Sequence, residues 1–355
     1  MAITIGYIGA TGRDIGFCGT NDCSININQI DPALARQLYP TANGGWDPTK
    51  LLEAVPNPFF GIAAAGELAG RSTVPRGQLL RPFPEFGNVF MHESTEGSKR
   101  QYNAVSLQLD KRMSGAQSWL GGRFSYTWSN SKDNQWGENN TYAWRTNFPQ
   151  NNYDLNAEYS TSIYNSPHRI VLAPIVRIPS PADRSSLKYL LAGGWNASAI
   201  MEFVSGSPLN AVISSGTSAD DLGLLGGQQR PNLIGDPNTP GSDEDRVASA
   251  AHPDARYFDP KAFANPGLGQ YGNAPRTIDS ALNQFRKNID LVFSKDTKIS
   301  GSQVGEIRFE ILNLMNTPKF GNESTNNAIN TSSFGRIATQ AGFMRIWQLT
   351  FRYRF

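Results

Sequence analysis

The residues able to do chemistry are few, and their spacing builds no catalytic site. Cys18 and Cys23 lie five positions apart in a stretch rich in Gly, Asn and Asp. In an oxidising compartment they are placed to close a small loop disulfide. Free thiols or a metal pair are the alternatives, although no second pair and no nearby histidine completes a metal site. His92, His168 and His252 are dispersed and read as surface or loop residues. The acidic stretch Asp243-Glu244-Asp245, with Asp236 nearby, offers oxygen ligands but lacks the calcium-loop spacing, and reads as solvated loop. Gly6, Gly9 and Gly12 imitate a dinucleotide-binding loop. That chemistry needs a helix N-terminus to receive the pyrophosphate, and Arg13 to Gln29 has no helical periodicity. There is no Gly-x-Ser-x-Gly elbow. The expectation is a protein that is not an enzyme and carries no metal and no cofactor.

The composition points to strands and loops. Of 355 residues, 17% are charged and 11% aromatic, with 34 Gly and 22 Pro. The charged share is well below the roughly 25% usual for soluble domains. A net charge of +2 gives no electrostatic case for nucleic acid. No run of about 18 apolar residues forms a membrane helix, but membrane strands alternate faces and leave only a weak hydropathy signal.

Period-two alternation is the dominant pattern. After Arg345, Trp347, Leu349, Phe351, Tyr353 and Phe355 alternate with Gln348, Thr350, Arg352 and Arg354. One face is apolar and aromatic. The other is polar and charged, and needs water such as a wide barrel lumen supplies. The same alternation recurs upstream, as in Ile307, Phe309 and Ile311 against Glu306, Arg308 and Glu310. Spanning strands are expected near 2–8, 100–112, 118–131, 168–178, 190–206, 284–298, 303–315 and 342–355, antiparallel and in sequential neighbour order. Pro174, inside the fourth, predicts a bulge there. Trp128 at one strand end and Tyr353 at the other read as interface belts.

Connection lengths supply direction. Bacterial barrels have long external loops and short periplasmic turns. With the chain end taken as periplasmic, 9–99, 132–167, 207–283 and 316–340 become external loops. The short links 113–118, 179–188 and 299–303 become periplasmic turns. Val89–Glu93 breaks this parity and is assigned to an external hairpin. Ile3 to Ile8 looks too short to cross, as a strand cut near its middle would. The N-terminus lacks a basic leader, so an upstream part is expected beyond this chain.

Several motifs then carry a resemblance. Tyr7-Ile8-Gly9-Ala10-Thr11-Gly12-Arg13 with Asn26-Ile27-Asn28-Gln29, and Leu80 to Gly87, resemble the strand and loop of Oar-like TonB-dependent receptors. So do Phe124 to Ser131 followed by His168-Arg169, Gly193-Gly194-Trp195-Asn196, and Ser205 to Leu209. Asn313 to Gly321 and Phe334-Gly335-Arg336-Ile337 resemble their penultimate hairpin. The resemblance covers nearly the whole chain, in order. It implies the C-terminal portion, 1–355, of an all-β, antiparallel transmembrane barrel of about 22 strands, in the outer membrane of a Gram-negative cell, plugged by an N-terminal domain. It implies active uptake of an unidentified ligand. The partners implied are outer-membrane lipid, the barrel-assembly machinery, and a TonB-type energy-coupling protein acting through the N-terminal part. Members often carry a carboxypeptidase-regulatory-like domain in front. The terminal stripe Trp347, Leu349, Phe351, Tyr353 and Phe355 resembles the signal read by the assembly machinery. Trp136, Tyr142 and Trp144, in loop 132–167, are candidate ligand contacts. A self-contained outer-membrane barrel with an adhesin or structural role, and a soluble β-sandwich binding domain, are the alternatives.

Overall fold

The computed structural model describes residues 1–14, 25–91, 97–114, 118–134, 149–181, 187–213, 222–224, 229–242, 245–247, 249, 252–300, 302–320, 328–337 and 340–355. Eight long strands dominate it: β1 (Ala2–Arg13), β2 (Lys99–Lys111), β3 (Leu120–Asp133), β4 (His168–Arg177), β5 (Trp195–Val204), β6 (Arg286–Ser300), β7 (Gln303–Leu312) and β8 (Ile346–Arg354). They form one antiparallel sheet in sequential order, joined at β3 by the short Ser160–Thr161 strand. The expected topology is therefore present. The sheet is not closed: among the described residues, β1 and β8 are each paired on one side only.

Registers carry the alternation across the whole sheet. Ile3 pairs with Leu109, Leu109 with Phe124, Phe124 with Leu172, Leu172 with Met201, and Met201 with Ile289. Phe293, Phe309 and Leu349 continue the apolar face on the far strands. The eight strands contain seven carboxylates, Asp110, Asp133, Glu202, Asp290, Asp296, Glu306 and Glu310, and the registers place all of them on the opposite face. Ion pairs cross that face, including Arg123–Asp110 at 2.7 Å, Arg169–Glu202 at 2.8 Å and Arg308–Glu310 at 2.8 Å. An aliphatic strip, Val171, Ile175, Ile200 and Val292, runs among these charges.

Three details correct the sequence reading. First, β1 is not too short to cross: it pairs along its full length, from Ala2↔Asp110 to Arg13↔Lys99. Gly9, Ala10 and Gly12 carry little strand propensity of their own, and the ladder with β2 imposes extension. Gly9 lies under the Tyr7 ring, where a Cβ would sit 2.8 Å from the Tyr7 hydroxyl. Second, Pro174 makes no bulge. Ser198↔Ile175 and Met201↔Leu172 keep one register across it, so the proline only interrupts pairing. The bulge lies instead between Lys298 and Ser300. Third, 190–194 is not strand. Leu187–Ala192 is a helix, built from good helix formers. It ends at Gly194, φ +73, where a Cβ would meet the Asp296 carbonyl at 2.3 Å.

The four long connections, 14–98, 134–167, 205–285 and 313–345, leave the sheet at one end, and the short links 112–119, 178–194 and 301–302 at the other. Phe90–Met91 pairs with Ile25–Asn26 within the first long connection. The best-buried side chains belong to the long connections. One cluster gathers Leu209, Tyr257, Phe258, Phe263, Ile278 and Phe334; another gathers Ile30, Trp46, Leu51, Leu222 and Leu224. Trp46 is fully buried and donates its Nε1–H to the Leu222 carbonyl at 2.5 Å. Gly269, at φ +60, lets the chain pass against it: a Cβ there would fall 1.8 Å from the Trp46 carbonyl.

Candidate functional site at the loop-covered end of the sheet

The polar face of β2 to β6 opens, at its long-loop end, into a cleft of about 520 Å³. The strands supply Tyr102, Arg169, Glu202 and Arg286, and the long connections supply Tyr164 and Lys319. The strand side chains converge because each lies on the same sheet face near the same end. Glu202 is held by Arg169, so Arg286 and Lys319 set the sign of the cleft, which is cationic. A cleft of this kind can hold a hydrophilic or anionic ligand by charge and hydrogen bonding.

Beside it, a buried polar network ties three long connections to the end of β3. Arg230 pairs with Glu158 at 2.5 Å, and both are almost wholly buried. The Arg230 backbone N–H donates to Gln150 Oε1 at 2.7 Å, and Gln150 Nε2 donates to the Gly272 carbonyl at 3.2 Å. Arg276, fully buried, pairs with the Asp133 carboxylate and donates to the Asp133 and Glu158 carbonyls at 2.6 and 3.0 Å. Gln29 joins the first connection by donating to the Gln150 carbonyl at 3.3 Å. Burial pushes the Arg276 guanidinium below its ordinary range, while Asp133 and Glu158 pull it back up. Arg81, buried in the first connection, is pushed down by burial to about 10.

Apart from Gln29, at the end of the Asn26–Gln29 motif, nothing in the sequence pattern singled out this network. Its members are ordinary loop residues far apart in the chain. The one other available signal was Asp133, a carboxylate at the end of an alternating strand. Of the ligand-contact candidates, Trp136, Tyr142 and Trp144 lie outside the described residues, as do Cys18, Cys23, His92, Asp243 and Glu244. His168 sits at the end of β4 on the apolar face, stacked on Tyr126 with Nδ1 2.9 Å from its hydroxyl. Asp236 and Asp245 serve their own loops, accepting from Asn238 and Ser242 respectively; both carboxyls are held below their ordinary range by these bonds. Gly6, Gly9 and Gly12 lie inside β1. The stripe Trp347, Leu349, Phe351 and Tyr353 stands exposed on the apolar face of edge strand β8, followed by Phe355 at 92% exposure.

No group of His, Cys, Asp and Glu side chains among the described residues could hold a metal ion. No described helix is long and apolar enough to cross a membrane, which says nothing of crossing by strands.

A family model described as an outer membrane beta barrel domain matches residues 1–348. No curated protein and no solved structure matches the chain. The chain belongs to this outer-membrane β-barrel family, and its location is the cell outer membrane.

Proposed function

We propose that this outer-membrane barrel domain is the C-terminal part of the barrel of a TonB-dependent, Oar-like transporter that takes up a ligand across the outer membrane. One observation carries the reading. The strands confine all seven carboxylates to one face, which also lines a cationic cleft beneath packed loops. Such a face needs water, and four long connections fold over its end. In a closed barrel of about eight strands the interior is just wide enough for side chains. A lumen with room for charges, water and folded loops calls for more strands beside β1 and β8. The long-loop end is external in this reading, and the loops begin ligand capture because the sheet positions them. A TonB-type energy-coupling protein would act through a region N-terminal to this chain.

The test is uptake by the full-length receptor in cells. Removing 207–283 should abolish uptake while the barrel still assembles, and removing the energy-coupling protein should do the same. Unchanged uptake in either case counts against the proposal. A second reading, a self-contained eight-stranded barrel with an adhesin or structural role, draws on the two unpaired edges, which β1 and β8 would satisfy by pairing with each other. Cysteines placed along β1 and β8 cross-link only in that case.

A further inference from the structure

The apolar face of the sheet carries no carboxylate, yet it does carry six cations, Arg13, Lys99, Lys111, Lys132, Lys287 and Lys295. Five of them lie toward strand ends; Lys295, within β6, is buried and donates from Nζ to the Gly193 carbonyl at 2.5 Å. Three of them meet at the long-loop end. Arg13 pairs directly with Lys99. The Lys99 carbonyl accepts from the Asn134 backbone N–H at 3.2 Å and the Lys99 N–H donates to Asn134 Oδ1 at 2.7 Å, and Lys132 is two positions before Asn134 on the same face of β3. Lys132 also lies four positions beyond Trp128. That is ~13 Å along the strand at ~3.3 Å per residue, and ~10 Å of height at a tilt of ~40°. Trp128 belongs to the row Tyr7, Val105, Trp128 and His168, with Asn103 and Asn130 between it and the cations. The face therefore changes from apolar to aromatic to amide to cationic over one strand end. That sequence matches the passage from acyl chains to head-groups.

Directly opposed like charges destabilise a ladder. The nearby carboxylates are engaged within their own loops: Asp14 accepts from the Gly97 N–H at 2.9 Å, and Asp154 caps Asn156 and Ala157. Lys99 donates to Asn156 Oδ1 at 2.6 Å, an uncharged partner. An anion bridging the three would relieve the repulsion.

We propose that Arg13, Lys99 and Lys132 bind the phosphorylated head-group of an anionic lipid in the outer leaflet. The site is independent of any transported ligand, and rests on the orientation proposed above. The test uses the full chain folded in detergent and bisphosphorylated lipid A as the probe, followed by native mass spectrometry. The wild type should bind it, and R13Q/K99Q/K132Q should lose on the order of 100-fold, about fivefold for each cation. R13K/K99R/K132R should bind like wild type, and K111Q, at the other end of β2, should be unaffected. Equal binding by the neutral variant, or equal binding of dephosphorylated lipid, overturns the proposal. Competition by millimolar inorganic phosphate overturns the lipid as the source. If the triple variant does not migrate as a folded barrel, K99Q and K132Q singly should each lose about fivefold, and no loss overturns the site. Labelling of Asn130→Cys from outside intact cells supports the orientation. Labelling only from the periplasm overturns the outer-leaflet assignment, while binding in detergent is read separately.

Discussion

Replacing Arg276 with Met should loosen the long connections without releasing the barrel. Methionine fills a similar volume and removes the charge. The Asp133 side chain, 9% exposed, then loses its cation, and the Asp133 and Glu158 carbonyls lose a donor. Removing one partner of a buried pair typically costs ~3–5 kcal/mol. The Glu158 carboxylate keeps Arg230, and the Asp133 rim admits some water, so the lower end applies. About 3 kcal/mol multiplies the opening equilibrium by on the order of 100. Hydrogen exchange read at 158–161 and 276–278 should accelerate by that factor, because Thr277 donates to the Thr161 carbonyl and bonds Ser160 at 3.0 Å. Exchange within β2 and β7 should not change, nor should heat-modifiable migration of the barrel. Arg336→Met is the control. Its pair with Asp254 is exposed, at 36% and 91%, and such pairs contribute ~1 kcal/mol or less. If Arg276→Met changes exchange by no more than the control does, the network does not hold the connections.

Removing Phe355, or changing Phe355 and Tyr353 to Ser, should block assembly of the full-length protein, since the stripe stands on an unpaired edge that templates pairing; insertion at normal yield, read by membrane fractionation, would refute this. Phe309→Arg places a charge on the apolar face between Phe293 and Leu349, and should cost ~2–4 kcal/mol in urea unfolding from lipid vesicles, whereas Thr350→Arg on the charged face should cost much less. Asp47 caps the helix Pro48–Leu52 by accepting from the Thr49 N–H at 2.9 Å and its hydroxyl at 2.6 Å, so Asp47→Ala should lower stability of the first connection by ~1 kcal/mol. The hydroxyl bond to Thr49 holds this carboxyl below its ordinary value of 3.8. A depressed carboxyl stabilises the fold above its unfolded value and loses that contribution as protons return. The connection should therefore loosen only below about pH 4, and tryptophan fluorescence should report it.

The alternation of Trp347 to Phe355 and of Ile307 to Ile311 made the sheet legible, because a period of two survives any register and every strand shares one polar and one apolar neighbourhood. The ends were less legible. Gly9 to Gly12 became strand because β2 offered a ladder, and 190–194 did not, because the Leu187–Ala192 segment closes a helix onto Gly194. The first outcome depends on a partner that local propensity does not encode; the second follows from a run of helix formers closed by a glycine, which the period-two pattern overlooks. The cleft and the buried network were illegible for the reason that β1 was, dependence on distant partners. Arg230, Arg276, Glu158 and Gln150 come together only after three connections fold, and each has the composition of an ordinary solvated loop.

The burial pattern divides the chain between two solvents. In the sheet, Ile3, Ile5 and Tyr7 on β1 and Leu349 and Phe351 on β8 are between 58% and 74% exposed, and very few strand residues, such as Ala104 and Ile311, are buried. Water would penalise such a surface by about 25 cal/mol for each Å² left bare. Acyl chains remove the penalty, so lipid does for the strands what a packed interior does for a soluble sheet. The long connections have no such recourse. They build their own interior around Trp46 and Phe258, and a charged group, Arg276 on Asp133, anchors them to the end of β3. An apolar anchor would have to compete with the lipid-facing stripes for register and could pull a strand over by one residue, turning its apolar face inward. A charged anchor cannot make that error, because a carboxylate turned toward lipid has no partner there.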